Sequence, residues 1–217
     1  MLLLLLWAQA APEKVLFEDA LTGSLKEGWS WIREEAAARK HDKDGLHLRV
    51  QGGSLWEKSN SARNVLLRNL PSTGVDGPVA VEVRVANAPQ QTAEQAGVLL
   101  YLDDDTYVKL VRERLEQRVK VVFARESEAR GFPLTIRDDD AAAHRLRLTW
   151  SGSQVTAEMR ADGAPKWTSL GYCESPFPLD LAEKVRGGIV AHGAPKEAER
   201  WAVFRDFRVV VPPPEER

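Results

Sequence analysis

The chain has 217 residues, 43% of them apolar and 29% charged, with 30 Lys and Arg against 32 Asp and Glu. At roughly 150 residues per domain this is one β-type domain more readily than two small ones, and the composition excludes a collagenous, low-complexity or wholly disordered chain. A net charge of -2 supplies no global field for nucleic acid or an anionic membrane, so a function carried by a basic patch is disfavoured.

The chain opens on Met1, five leucines from Leu2 to Leu6, Trp7 and then Ala8-Gln9-Ala10, an apolar run before a small-x-small pattern. That is the form of a secretory signal over residues 1–10, although no basic residue precedes the run, and it leads to an expectation of a secreted or periplasmic protein. No other run approaches the roughly 18 apolar residues that span a bilayer, so no membrane insertion of the mature form is expected. The domain is expected over residues 11–211, followed by a flexible tail at 212–217 that begins Pro212-Pro213-Pro214.

Two-fold alternation dominates what lies between. Leu46, Leu48 and Val50 alternate with His47 and Arg49, and Val79, Val81, Val83 and Val85 alternate with Ala80, Glu82, Arg84 and Ala86. Each puts apolar groups on one face of a half-buried antiparallel strand. Ala96 to Leu102 is instead almost continuously apolar, as a central strand covered on both faces would be. It runs into the turn Asp103-Asp104-Asp105, after which Tyr107 to Arg112 resumes the alternation, giving a hairpin. A second hairpin is expected from Arg145 to Arg160 around Ser151-Gly152-Ser153, and Val203, Phe207, Val209 and Val211 share a parity in the last strand. Two segments carry helix propensity. Arg33 to Lys40 is read as a short helical turn or loop, while Val111 to Arg118 lies between strong strands, where pairing should override propensity. About a dozen strands at 8 to 15 residue spacing indicate an all-β sandwich or barrel.

Several chemistries find no residues to carry them. Gly23-Ser24 and Gly152-Ser153 lack the Gly-x-Ser-x-Gly frame of a hydrolase elbow, and no phosphate-binding or dinucleotide glycine loop occurs. His41, His47, His144 and His192 form no His-x-His or His-x-x-x-His pair, so no zinc site is expected. Cys173 is the only cysteine, which rules out an internal disulfide and fits a buried filler residue. The triplets Asp103-Asp104-Asp105 and Asp138-Asp139-Asp140 raise the question of calcium, but the glycine-punctuated loop pattern is missing and acidic turns without metal are commoner, so no cofactor is assigned.

Trp29-Ser30-Trp31-Ile32-Arg33-Glu34 is the first of several elements that resemble a known family. It is followed by Asn64-Val65-Leu66-Leu67-Arg68, by Gln95-Ala96-Gly97 with Tyr101, Asp103, Asp104, Tyr107, Val108, Lys109, Leu110 and Glu113, and by His192 and Phe204-Arg205-Asp206-Phe207-Arg208-Val209. Together they are similar to the regulation-of-enolase-type domain family of the concanavalin A-like lectin/glucanase superfamily, from about Val15 to Val211. The resemblance implies a jelly-roll sandwich of two antiparallel sheets, one of them concave, with the terminal strands meeting near Phe17 and Phe207. It also implies, by kinship with lectins, glucanases and sugar-binding modules, a carbohydrate role. The Glu-x-Asp-x-Glu catalytic strand of the glucanases is absent, so no catalytic residue is assigned.

Sugar recognition needs an aromatic plate and directional polar groups. Trp31 and Arg33 share one strand parity with Trp29, while Glu34 takes the other, so an indole beside a guanidinium can face the concave side, or both tryptophans can be core. Tyr107, Lys109 and Glu113 share a strand face and can line one groove with Gln95, or form a solvated face with cross-strand ion pairs. Trp56, after Gly52-Gly53-Ser54-Leu55, is either a ligand plate or packing under its loop. Asn64 can bond a sugar or cap a turn, and His192 can orient a ligand or sit neutral in the core. The favoured function is a non-catalytic carbohydrate-binding module. The alternatives are a structural or protein-interaction domain and a hydrolase using a carboxylate pair such as Glu34 and Glu113.

Overall fold

A two-residue alternation satisfies only a sheet with one dry face, and the chain folds accordingly. The computed structural model describes residues 13–213; the signal-like segment 1–10 and residues 214–217 of the tail lie outside the described residues. Within them the chain runs through β1 (Lys14–Asp19), β2 (Trp29–Ile32), β3 (Arg39–Asp42), β4 (Gly45–Arg49), β5 (Val65–Asn69), β6 (Val79–Ala86), β7 (Gln95–Asp103) and β8 (Thr106–Leu115). It continues through β9 (Arg118–Ser127), β10 (Arg130–Asp138), β11 (Ala143–Ser151), β12 (Gln154–Ala161), β13 (Thr168–Glu174), β14 (Arg186–His192) and β15 (Trp201–Val211). An eight-stranded sheet has the order β13-β12-β11-β6-β15-β4-β3, with β1 paired to β15, and a seven-stranded sheet has the order β10-β9-β8-β7-β14-β5-β2.

The inner faces of the two sheets share one core. Val81, Val83, Leu146 and Leu148 from the first sheet meet Val98, Leu100, Leu110 and Phe123 from the second. Each such side chain contributes about 1.5 to 3 kcal/mol by leaving water. Trp150 is fully buried within it, edge-on to Phe177 at 5.2 Å, and its indole N–H donates to the Gly152 carbonyl at 3.0 Å, so its polar end is satisfied. β1 and β15 pair antiparallel, and the Phe17 and Phe207 rings lie 6.5 Å apart, where the resemblance puts the meeting of the terminal strands.

Local chemistry explains the connections and the departures. Glu116 and Gln117 both take positive φ, 48° and 66°, the mirror-image turn whose twist suits a two-residue hairpin, so Val111 to Arg118 is strand and turn rather than helix. The three alanines Ala36–Ala38 form a short 3-10 turn. In β15 the expected parity fails. A bulge between Arg205 and Arg208, with Asp206 at φ 52°, adds a residue and resets the alternation, so Phe204 joins Phe207 and Val209 in the core while Val203 stays half-exposed. No helix among the described residues is long and apolar enough to cross a membrane.

Candidate functional site

β7 is apolar on both faces because both are covered. The segment between β4 and β5 folds over the outer face of the seven-stranded sheet, where Leu55 and Ala62 pack on Leu67, Leu99, Tyr101, Tyr107, Val111 and Val122 in a second apolar cluster. Trp56 lies half-buried on this layer, against Gly131 of β10, where a Cβ would come within 2.2 Å of the indole. The absence of a side chain at Gly131 is what lets the ring lie flat on the sheet.

A polar row crosses this covered face. His192, Gln95, Glu113 and Lys120 are cross-strand neighbours on β14, β7, β8 and β9. Lys109 lies on the same face of β8, one alternation from Tyr107 and two from Glu113, while Val108 and Leu110 point into the inter-sheet core. The Lys109 ammonium donates to Gln95 Oε1 at 2.8 Å and sits 4.7 Å from the centre of the Trp56 ring. Burial lowers its pKa, opposed by the charges of Glu113 and Glu126. Burial raises that of Glu113, opposed by Lys109, and no protein group donates a hydrogen bond to this carboxylate among the described residues. His192 is 1% exposed, and its ring meets the Gly53 backbone without a well-formed hydrogen bond. Its burial, with the nearby Lys109 charge, pushes it down to about 3, so it is a neutral imidazole near pH 7.

Glu126, which the sequence reading did not single out, closes the other end of the face. Its Oε2 lies 2.9 Å from the Tyr107 hydroxyl and 2.8 Å from the Glu57 amide nitrogen, while Oε1 is buried without a partner. The Tyr107 hydroxyl is also 3.0 Å from the Leu55 carbonyl. One hydroxyl hydrogen can serve only one of these two acceptors at a time. The pKa of Glu126 is raised by burial, against the pull of the Glu57 amide and the Tyr107 hydroxyl. In the sequence Glu126 only follows Val122 and Ala124 at strand spacing, and its burial comes from partners brought near by folding.

Six of the ten residues singled out in the sequence are thus brought together: Trp56, Gln95, Tyr107, Lys109, Glu113 and His192. Four are placed elsewhere. Trp31 packs against the inter-sheet core with the Arg39 guanidinium 4.9 Å from its ring. Arg33 does not keep the strand parity of Trp31, because β2 ends at Ile32 and Arg33 turns at φ 50°. Its guanidinium makes a two-pronged bond to Asp104 at 2.6 and 2.8 Å, and Asp104 also accepts from the Tyr101 hydroxyl at 2.8 Å. Glu34 is exposed and paired with Arg39 at 2.6 Å. Asn64, at φ 51°, accepts from the Glu35 amide at 2.7 Å and donates to the Glu35 carbonyl and to Gln51 Oε1, so its amide is used by the chain itself.

Glu113 and Glu126, the two carboxylates of this face, do not form a close pair, and Glu34 of the pair named from the sequence is exposed and bonded to Arg39. Glu126 stands opposite Tyr107, six residues from Glu113, which separates the two backbones by roughly 20 Å at the rise of a strand. Two carboxylates flanking a glycosidic bond stand about 5 to 10 Å apart. Asp104 is committed to Arg33 and Tyr101, Asp105 accepts from Asn60 at 2.7 Å, and Asp139 bonds Arg112 at 2.8 Å. No group of three or more His, Cys, Asp or Glu among the described residues is placed to hold a metal ion.

Comparison with known proteins fits this architecture. The chain matches the Beta xylosidase C-terminal Concanavalin A-like domain family over residues 19–209. No curated protein sequence is significantly similar to it. A GH43 protein, BlXynB, from Bacillus licheniformis superposes with a TM-score of 0.77 at 17% identity, over 90% of this chain and 39% of that one. A xylan beta-1,4-xylosidase from Bacillus halodurans C-125 superposes with a TM-score of 0.75 at 16% identity, over 94% of this chain and 40% of that one. The carbohydrate binding module CBM66 from Bacillus subtilis gives a TM-score of 0.54 at 12% identity, over 84% of this chain and 94% of that one. The chain therefore spans less than half the length of the two larger relatives, and at these identities the likeness is one of fold. The superfamily read from the sequence stands, while the family matched is a xylosidase-associated one rather than the regulation-of-enolase type. This chain belongs to the β-xylosidase C-terminal concanavalin A-like domain family.

Proposed function

We propose that the protein is a non-catalytic carbohydrate-binding module that receives a glycan on the outer face of the seven-stranded sheet. The observation that carries this reading is the convergence of unused hydrogen-bonding capacity beside an indole. Lys109 has one acceptor for three donors, Glu113 has no donor, neither His192 nitrogen has a well-formed hydrogen bond, its ring meeting only the Gly53 backbone loosely, and Trp56 lies against the Lys109 ammonium. Buried polar groups are normally satisfied, so a site where several are not is one that a polyhydroxylated ligand can complete. We take the side of Gln51, which bridges to His192, and of the exposed Arg63 as the one from which a sugar reaches the row and meets Trp56. The likeness to a carbohydrate-binding module and to xylosidase-borne domains supports the same reading, and the signal-like residues 1–10 are consistent with export to where polysaccharides are met.

The test is binding of the chain from about Ala11 onward to a panel of soluble and insoluble polysaccharides, alongside Trp56→Ala and Lys109→Met variants confirmed folded by circular dichroism. Binding by the parent and its loss in both variants is the expected result. Absence of binding to every glycan would sink the reading and favour the second one, a packing domain within a larger polypeptide, which the length of the GH43 protein and of the xylan beta-1,4-xylosidase supports.

A further inference from the structure

We infer that the protein has a second carbohydrate site, in the open cleft at the β8–β9 turn end of the sandwich, which takes a short neutral oligosaccharide against Trp201. This rests on the carbohydrate reading but concerns a different place in the fold. The cleft has a volume of about 710 Å³, within the range of roughly 300 to 1,000 Å³ usual for ligand sites. Its walls are the end of β6 with Asn87 and Ala88, the turn at Gln117 and Arg118, the connection Asp139 to Ala142, and Trp201 at the start of β15.

The floor shows that these walls are fixed in advance. Arg112 is 2% exposed, yet it is not isolated in the core. Its Nε donates to Asp139 at 2.8 Å, Nη1 donates to the carbonyls of Asn87 and Ala142 at 2.9 Å each, and Nη2 donates to the carbonyl of Ala141. One guanidinium thereby ties β8 to two of the segments that line the cleft. A buried ion pair is a poor source of stability compared with apolar packing, so a structural arginine here makes most sense as a device that holds loop backbone in place. Binding to walls already held loses less ordering entropy than binding to mobile loops.

The lining fits a neutral sugar. Trp201 offers a half-exposed indole, braced by the Lys40 ammonium at 4.8 Å from its ring, for the apolar face of a sugar ring. The small side chains of Ala86, Ala88 and Ala142 leave the volume open. Gln117 and Asp140 are exposed, and their side chains make no hydrogen bond or ion pair, so both are available to hydroxyl groups. The charges nearly cancel: Arg112 faces Asp139, and Arg118 pairs with Asp138 at 3.3 Å, which favours a neutral ligand over an acidic one. A small adjoining cavity touches both Trp201 and Gln95, so this cleft and the Lys109 face are neighbours.

The experiment is titration of the 15N-labelled chain with four neutral hexaoses, of xylose, glucose, mannose and fructose, followed through the indole N–H signals, with isothermal titration of variants. Ala142→Arg fills the cleft from its exposed side without removing a core group; Trp201→Ala is the second variant, checked by circular dichroism. The expected result is a shift of the Trp201 indole with at least one hexaose, weakened at least about tenfold by Ala142→Arg and not by Trp56→Ala. A shift confined to Trp56 would overturn the cleft site and leave the Lys109 face standing. A shift confined to Trp201 would do the reverse. Silence of both indoles with all four hexaoses, or binding at the cleft unchanged by Ala142→Arg, would remove the cleft proposal altogether.

Discussion

Lys109 holds its ammonium 4.7 Å from the centre of the Trp56 ring, and no carboxylate among the described residues lies within ion-pair distance of it. The cation is compensated by a ring quadrupole, one amide oxygen and the more distant charges of Glu113 and Glu126, which leaves hydrogen-bond donors able to reach a ligand oxygen. Truncating the ring should therefore act on binding and stability together. Trp56→Ala is expected to weaken glycan binding at least about tenfold and to lower stability by about 2 kcal/mol, less than for a fully buried indole. Trp31→Ala, against the inter-sheet core, should cost a similar amount in urea denaturation and leave binding by the folded protein unchanged. Equal loss of binding in both variants would show that Trp56 acts only through the fold.

Acid should destabilise the protein through His192. Its folded value of about 3 lies below the ordinary 6.5, so between these the unfolded chain binds more protons and stability falls as pH falls from about 6.5 towards 3. Glu113 and Glu126, raised by burial, act with the opposite sign above the ordinary carboxylate range. A His192→Leu variant separates the two contributions. Relative to the parent, it should gain on the order of 3 kcal/mol between about pH 7 and about pH 4, measured by urea melts at both. An unchanged difference would mean that the imidazolium meets solvent or an acceptor in solution.

Arg112→Leu should be among the most damaging single changes. It leaves the Asp139 carboxylate buried without its guanidinium and releases the carbonyls of Asn87, Ala141 and Ala142. The expected loss is about 3 to 5 kcal/mol in denaturant unfolding, and a loss below about 1 kcal/mol would show that water replaces the arginine with little penalty.

Cys173 should be inert in the native protein. Burial pushes its thiol up to about 11, so little thiolate forms near neutral pH. Iodoacetamide should label it slowly when folded and completely in concentrated guanidinium; rapid labelling of the folded chain would place it in an opening that the packing does not show.

The sheets were legible because burial writes itself into strands with a period of two. Val79 to Val85, Leu46 to Val50 and Leu146 to Trp150 each carry their face in the spelling, and the all-apolar Ala96 to Leu102 announced a second cover. What failed was anything that depends on a positive φ at a residue other than glycine. Arg33 and Asp206 each interrupt a parity that the letters alone continue, which sent Arg33 to Asp104 and moved Phe204 inward. The site was legible in part, since Lys109, Glu113 and Tyr107 share a strand face and Gln95 and His192 stand across from it. Glu126 and Arg112 were not, because their meaning comes from partners 19 to 69 and 25 to 30 residues away, brought near only by folding.

Pairing of β1 with β15 places Lys14 beside Val211. Chain entering and leaving the sandwich therefore does so through a single doorway, the two strands only about 5 Å apart. A domain hung in this way can be set into a loop of a host protein without prising the host open, and its original ends can be sealed with a short linker while new ones are cut at a hairpin such as Ser151 to Gln154. Such a rearranged chain should keep both sheets, since no strand has to cross the molecule to meet its neighbour.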